Sequence, residues 1–114
     1  MSTELGPSIS QINLARSVIK QNLIKTPVIP LKSDRWMEVL PRDTNVSVKL
    51  ELFQQAGSFK ARGAYLGIQN LSSEQKKQGV VAASGGNHAL AVSWAAAAAG
   101  VTAKITMPKT TDPY

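Results

Sequence analysis

The sequence predicts an α/β fold with a parallel core, and two observations support this class. From Glu51 onward the hydrophobic pattern gives the order strand, helix, helix, strand, helix, strand, which is typical of parallel sheets. Hydrophobic residues make up 43% of the chain and charged residues 18%, which indicates a packed core. The length of 114 residues fits one small domain or a part of a larger one.

The first half of the chain is predicted to hold one amphipathic helix and two extended segments. Apolar residues recur at three- and four-residue steps from Ser8 to Leu23, and either Ser8 or Ser10 can cap this helix. Prolines stop it, so that Val28 to Leu31 is extended, and a short helix is expected over Ser33 to Leu40. Apolar and polar residues alternate from Val46 to Leu52, which predicts a half-buried strand.

The second half is predicted to hold three helices and two strands. In chain order these are a helix from Ser58 to about Asn70, a short helix over Ser73 to Gln78, a buried strand over Val80 to Ala83, a helix over Ala89 to Ala99 and a strand over Val101 to Met107. We expect Ser58 to cap the first of these helices, because its hydroxyl can accept from an unpaired backbone N–H. We expect Gly79 to end the second.

Composition excludes several classes of protein and site. The absence of cysteine removes disulfides, thiolate zinc sites and a cysteine nucleophile, and favours a cytoplasmic location. The net charge of +6 comes from scattered basic residues, which indicates small anionic ligands and no nucleic acid partner. The longest apolar run, Ala95 to Ala99, is far shorter than the about 20 residues of a membrane span. His88 is the only histidine, which argues against a metal site.

The turn from Ser84 to His88 joins a predicted strand to a predicted helix. Its glycines allow the backbone to approach a ligand, and the helix start offers unpaired N–H groups at the positive end of the helix dipole. A carboxylate or a phosphate fits such a turn. It lacks the lysine and glycine spacing of a nucleotide-binding loop. An ordinary strand-to-helix turn uses the same residues, so the residues alone favour the anion site only slightly.

Lys60 lies at the start of a predicted helix, near its positive end and near Arg62. Both features disfavour the ammonium form of the lysine. A neutral amine can attack a carbonyl carbon and form a Schiff base. In the alternative interpretation Lys60 is simply one of the thirteen basic residues of a solvated surface. Spacing alone does not decide between the two.

Two motifs together resemble the fold-type II pyridoxal-phosphate enzymes, which include serine/threonine dehydratases, serine racemase, threonine synthase and the tryptophan synthase β chain. The segment Ser58-Phe59-Lys60-Ala61-Arg62-Gly63-Ala64, preceded by Lys49-Leu50-Glu51, is similar to the lysine loop of this family. The segment Ser84-Gly85-Gly86-Asn87-His88-Ala89 resembles its substrate loop, and Lys25-Thr26-Pro27 resembles the opening of the dehydratase-like branch. The resemblance implies an open, largely parallel sheet with helices on both faces, as in the tryptophan synthase β chain.

The resemblance also implies a role for individual residues. Lys60 would carry pyridoxal 5'-phosphate as a Schiff base and move the substrate α-proton, Phe59 would pack against the pyridine ring, and Asn87 would hydrogen-bond the ring hydroxyl. The substrate carboxylate would be held by Ser84, Gly85, Gly86, Asn87 and His88. The implied reaction is β-elimination of water from a serine- or threonine-type amino acid, in a homodimer. Racemase-like members have a second serine where this chain has Gly85, which favours elimination.

The family fold is roughly two to three times as long as this chain. The resemblance therefore implies that these residues are an amino-terminal part, with residues 1–50 mostly in the larger domain and 51–114 forming much of the small domain. The family's glycine-rich phosphate cup comes later, so we expect the 114 residues to be inactive alone. The alternatives are a serine racemase or threonine synthase-like enzyme and, from another class, a non-catalytic module that binds an anion or a partner.

Overall fold

The computed structural model describes residues 6–31, 35, 38–41 and 43–111. In chain order their elements are helix α1 (Ile9–Ile19), strands β1 (Val28–Pro30) and β2 (Ser47–Lys49), two 3₁₀ turns (Glu51–Phe53 and Gln55–Gly57), helices α2 (Lys60–Gln69) and α3 (Ser73–Gln78), strand β3 (Val80–Ala83), helix α4 (Asn87–Ala98) and strand β4 (Ala103–Thr106). The predicted short helix over Ser33 to Leu40 lies largely outside the described residues.

Helix α1 begins directly after a serine that the sequence predicts as its cap. The Ser8 hydroxyl accepts from the Gln11 N–H at 3.3 Å, and the Gln11 side-chain oxygen accepts from the Ser8 N–H at 2.7 Å. This reciprocal arrangement pairs two N–H groups that a helix start leaves unpaired. The helix ends at Ile19, earlier than predicted, and Leu23 beyond it is buried in the core.

Strand β2 pairs antiparallel with β1, with Ile29 opposite Val48. The prediction of a strand from Val46 to Leu52 is therefore wrong in its extent, since β2 covers three residues. The backbone leaves the extended conformation at Leu50, with φ −81° and ψ 70°, and a 3₁₀ turn follows. Long-range hydrogen bonds to the carboxylate of Glu51 account for this turn, as described below.

Strands β3 and β4 are parallel neighbours, with Val80 opposite Ala103, as the strand–helix–strand order predicts. Helix α4 is the crossover and contacts both strands. The prediction that β3 is buried is wrong, because Val81 is 79% exposed while Val80 is half-buried. Within the described residues α4 covers one face of this pair. The carboxyl ends of both strands lie at the same edge.

Helices α2 and α4 enclose the core. Its buried side chains are Leu23, Ala61, Tyr65, Ile68, Ala95, Ala96 and Val101. Alanine lets the two helices approach closely, and the ring of Tyr65 lies 5.6 Å from that of Trp94. The Tyr65 hydroxyl accepts from the side-chain amide of Asn22, which attaches the segment after α1. No helix of the described residues is long and apolar enough to span a membrane.

Helix α3 is short because both of its ends are specified locally. Ser72 and Gln75 form a second reciprocal capping pair at its start. Gly79 follows with φ 86°, and a Cβ there would lie 2.7 Å from the backbone oxygen of Thr102. A residue with a side chain therefore has neither the conformation nor the space. The prediction that Gly79 ends this helix is confirmed.

Candidate functional site

Lys60 is the first residue of α2, and its side chain is exposed. The Lys60 Nζ lies 4.9 Å from the centroid of the Phe59 ring, a distance typical of a cation–π contact. Phe59 is itself 59% exposed. The amine and the aromatic ring therefore lie together at the surface of the helix start, where a ligand has access to both.

Ser58 does not cap α2, contrary to the prediction. The cap position is occupied by Phe59, whose side chain has no acceptor, and Ser58 lies one residue earlier in an extended conformation. The Ser58 hydroxyl is buried and has no hydrogen-bond partner within the described residues. A buried polar atom without a partner is costly. This unpartnered hydroxyl, two residues before Lys60, is a candidate contact for a polar group of a bound ligand.

The guanidinium of Arg62 binds the carboxylate of Glu51 through two hydrogen bonds, Nε to Oε2 at 2.8 Å and Nη2 to Oε1 at 2.7 Å. The Thr26 hydroxyl donates to the same carboxylate. The hydrogen bond from Arg62 is the main cause that lowers the pKa of Glu51 to about 2, and Glu51 in turn raises the pKa of Arg62. Glu51 therefore supplies the counter-charge of the Arg62 guanidinium.

Gln54 also attaches the segment between β2 and α2 to the segment before β1. Its buried side chain accepts from the Ile24 N–H at 2.9 Å and donates to the Ile24 carbonyl at 2.8 Å. The carbonyl of Ile24 also accepts from Arg62 Nη2 at 3.3 Å. These bonds fix the segment between β2 and α2 against the segment before β1, and with it the position at which α2 starts.

Nothing in the local sequence pattern indicates this positioning role of Glu51 and Gln54. Glu51 is the last polar residue of the alternating segment from Val46 to Leu52, where a polar residue is expected to face solvent. Gln54 lies outside any periodic pattern. The one available signal is that Glu51 and Arg62 both occur in the segment that resembles the lysine loop. Their presence there does not predict that the two side chains form an ion pair.

The loop Ser84–Gly86 connects β3 to α4, and no side chain caps the helix that follows. The Gly86 carbonyl accepts from the third and fourth residues of the helix, at 2.8 Å and 3.3 Å. The N–H groups of Asn87 and His88 belong to the first turn and so have no intrahelical acceptor. Both residues are exposed. Unpaired N–H donors at the positive end of a helix dipole are suited to bind a carboxylate.

The predicted site residues fall on two segments, each at the amino end of a helix. Phe59 and Lys60 start α2, and Ser84, Gly85, Gly86, Asn87 and His88 lead into α4. The two helices pack against each other, and α4 also contacts the 3₁₀ turn Gln55–Gly57 shortly before Lys60. The described residues hold no group of three or more histidine, cysteine, aspartate or glutamate side chains placed to bind a metal.

The donor set fits pyridoxal phosphate in its reactive part. A primary amine is present for a carbonyl carbon, an exposed aromatic ring lies beside it, and the buried Ser58 hydroxyl has no partner among the described residues. The start of α4 adds N–H groups for an anion.

Comparison with known proteins gives the same family. Residues 19–114 match the profile of pyridoxal-phosphate-dependent enzymes. A phenylserine dehydratase of Ralstonia pickettii is 42% identical over 113 residues, which cover 99% of this chain and 33% of that protein. A catabolic L-threonine dehydratase of Staphylococcus aureus is 43% identical over 103 residues, 90% of this chain and 29% of that protein.

Among solved structures, maize serine racemase is 38% identical, with a TM-score of 0.76 over 90% of this chain and 31% of that one. The chain thus spans about a third of the length of the relatives it matches. The predicted fold class, a fold-type II α/β architecture, is confirmed by this structural likeness. By its sequence and its fold, the chain belongs to the family of pyridoxal-phosphate-dependent enzymes.

Proposed function

We propose that these residues form part of a dehydratase that removes water from a β-hydroxy amino acid and releases a 2-oxo acid and ammonia. The similarity to phenylserine and threonine dehydratases supports this class of substrate. The observation that carries the proposal is that Lys60 and the uncapped start of α4 lie at the amino ends of two helices in contact.

In this proposal Lys60 has two tasks. Its Nζ would hold the cofactor through the carbonyl carbon of pyridoxal phosphate. Once the substrate amine has taken that place, the released Lys60 amine would accept the α-proton of the substrate. When bound, pyridoxal phosphate supplies an electron sink for the negative charge that develops at the α-carbon. Phe59 would pack against the ring of the bound cofactor, and Asn87 would donate a hydrogen bond to its ring hydroxyl.

The loop Ser84–Gly86 and the start of α4 bind the substrate carboxylate. The N–H groups of Asn87 and His88 are the donors that the helix geometry leaves unpaired. The Ser84 hydroxyl accepts from the Gly86 N–H at 3.3 Å, which orders the loop before any ligand binds. Because the carboxylate stays bound throughout the reaction, this loop contributes to substrate affinity and to orientation of the α-proton toward the amine.

The atoms of the reaction balance without an oxidant. The substrate loses its α-proton and its β-hydroxyl, which together leave as water. The resulting enamine takes up one water molecule and releases ammonia and the 2-oxo acid. A homodimer and a cytoplasmic location, which the sequence analysis expects, stay predictions.

Racemisation is the second candidate reaction. It is favoured by the structural likeness to maize serine racemase, and it starts with the same removal of the α-proton. The glycine at position 85 favours elimination, because racemase-like members have a serine there. A non-catalytic anion-binding module is the candidate from another class.

The test is an assay of the protein that carries these residues, loaded with pyridoxal phosphate. Serine, threonine and phenylserine are offered separately, with alanine as the matched control that has no β-hydroxyl. We expect 2-oxo acid and ammonia in equal amounts from at least one hydroxy amino acid and none from alanine. Accumulation of the mirror-image amino acid without oxo acid would replace the proposal with racemisation. Binding without any conversion would replace it with the non-catalytic module.

A further inference from the structure

Two loops meet at the carboxyl ends of the parallel strands β3 and β4. The loop Ser84–Gly86 follows β3, and its first N–H donates to the Thr106 carbonyl at 2.9 Å. After β4 the chain turns, and the Thr111 N–H donates to the Pro108 carbonyl at 3.0 Å. This turn places the side chain of Thr111 directly beside Gly85.

The space that a side chain at position 85 needs is filled by the turn after β4. A Cβ on Gly85 would lie 2.6 Å from Thr111 Oγ1, 3.4 Å from Thr111 Cγ2 and 3.3 Å from Pro108 Cδ. The first distance is well inside van der Waals contact. Gly85 is not among the residues with positive φ, so its own backbone conformation does not require glycine. The requirement comes from Thr111.

Thr111 is poorly able to move aside. A side chain branched at Cβ is restricted about χ1, its turn is closed by a hydrogen bond, and the neighbouring ring of Pro108 is rigid. An added atom at position 85 therefore displaces the loop. The next residue gives the contrast, because a Cβ on Gly86 would meet nothing within 4 Å.

We propose that Thr111 is a positioning residue for the substrate loop. Its side chain packs on Gly85 and fixes the loop that leads to the N–H groups of Asn87 and His88. The link to substrate rests on the proposed function, whereas the packing of Thr111 on Gly85 does not. Positions 85 and 111 are thus coupled: a larger side chain at one position leaves room only for a smaller side chain at the other.

A double-mutant cycle of Gly85→Ala and Thr111→Ala tests the coupling. Thr111→Ala frees the loop, and we expect KM for the hydroxy amino acid to rise about threefold while kcat changes much less, since the carboxylate is bound equally before and in the transition state. Gly85→Ala alone should raise KM about tenfold or more. In the Thr111→Ala background, Gly85→Ala should raise KM by less than about twofold.

Two matched variants separate this role from a general structural one. Thr111→Val keeps the shape without the hydroxyl and should retain a KM near that of the wild type. Gly86→Ala should change KM by the same factor in the wild type and in the Thr111→Ala background. The proposal is overturned if Gly85→Ala raises KM by the same factor in the wild type and in the Thr111→Ala background. It is also overturned if Thr111→Val raises KM as much as Thr111→Ala does.

Amide hydrogen exchange of the substrate-free protein decides the case independently of turnover. Thr111→Ala should accelerate exchange at the hydrogen-bonded amides of Ser84 and Gly86 and leave helix α3 unchanged. Gly85→Ala should accelerate exchange at the same two amides only when Thr111 is present. If the protein converts no amino acid but shows this coupling, the proposed function fails and the packing pair stands. If exchange is unaffected while turnover is normal, the packing pair fails and the proposed function stands.

Discussion

Arg62 and Glu51 form a bidentate ion pair that links the first turn of α2 to the 3₁₀ turn Glu51–Phe53. The two side chains are only 31% and 18% exposed, so water screens the pair less than a surface pair. Because Arg62 lies two residues after Lys60, the pair determines where α2 begins. The backbone at Lys60 is thereby held at a defined place in the fold.

Replacing the carboxylate should destabilise the protein. Glu51→Gln keeps the shape but leaves the guanidinium of Arg62 half-buried without its counter-ion, and we expect the free energy of unfolding to fall by about 1–3 kcal/mol. Denaturant unfolding measures this change. The matched control is Glu74→Gln, since Glu74 is 72% exposed and 4.0 Å from Lys77, and it should cost less than about 0.5 kcal/mol. Equal losses in both variants would contradict the account.

The same pair predicts a pH dependence of stability. Arg62 lowers the pKa of Glu51 from 4.5 to about 2, so the unfolded chain takes up a proton before the folded one does. The stabilisation by this carboxylate is complete above about pH 4.5 and is lost as the pH falls toward 2. Unfolding measured across this window should show a shallower decline in Glu51→Gln than in the wild type. Parallel curves for the two proteins would show that the pair contributes nothing in solution.

Two glycine substitutions should change stability in opposite directions. Gly79→Ala places a Cβ at 2.7 Å from the Thr102 carbonyl oxygen in a backbone of positive φ, and should lower stability by about 1–3 kcal/mol. Gly67 lies inside α2, where a Cβ would meet nothing within 4 Å, so Gly67→Ala should raise stability by about 0.5–1 kcal/mol. Thermal unfolding of both variants is the measurement. A Gly79→Ala variant as stable as the wild type would contradict the close approach of Gly79 to the Thr102 carbonyl.

The reaction outcome should follow from Gly85. We expect the protein to form 2-oxo acid from serine much faster than it inverts the α-carbon. Chiral chromatography of the recovered serine, together with an oxo-acid assay on the same sample, gives both rates. Inversion that outpaces oxo-acid formation would show that a glycine at this position does not select elimination.

Local patterns predict the helix ends correctly where the capping partners are close in sequence, as for Ser8 with Gln11. They fail after β2, because the 3₁₀ turn at Glu51 depends on Arg62 and Thr26, which lie 11 and 25 residues away. The prediction that Ser58 caps α2 fails for a related reason. The helix starts one residue later than its hydroxyl can cap, and nothing local distinguishes the two starts.

The positions of Lys60 and of the loop Ser84–Gly86 could be predicted, because each motif lies next to a helix start that the sequence shows. The contact of Thr111 with Gly85 could not be predicted, since it depends on the parallel pairing of β3 with β4. The pairing register decides which residue of the turn after β4 reaches the loop, and no local pattern specifies it.

The central claim is that the amine of Lys60 binds pyridoxal phosphate covalently. The measurement is borohydride reduction of the protein with its cofactor, followed by mass spectrometry of the peptides. We expect the pyridoxyl group on Lys60 in the wild type and in the control Lys77→Ala, whose lysine is exposed and distant in sequence. Lys60→Ala and Lys60→Arg should show no label and lose turnover by about a thousandfold or more, because a guanidinium stays protonated and cannot act as the amine. A label on another lysine, or near-normal turnover in Lys60→Ala, would contradict the account.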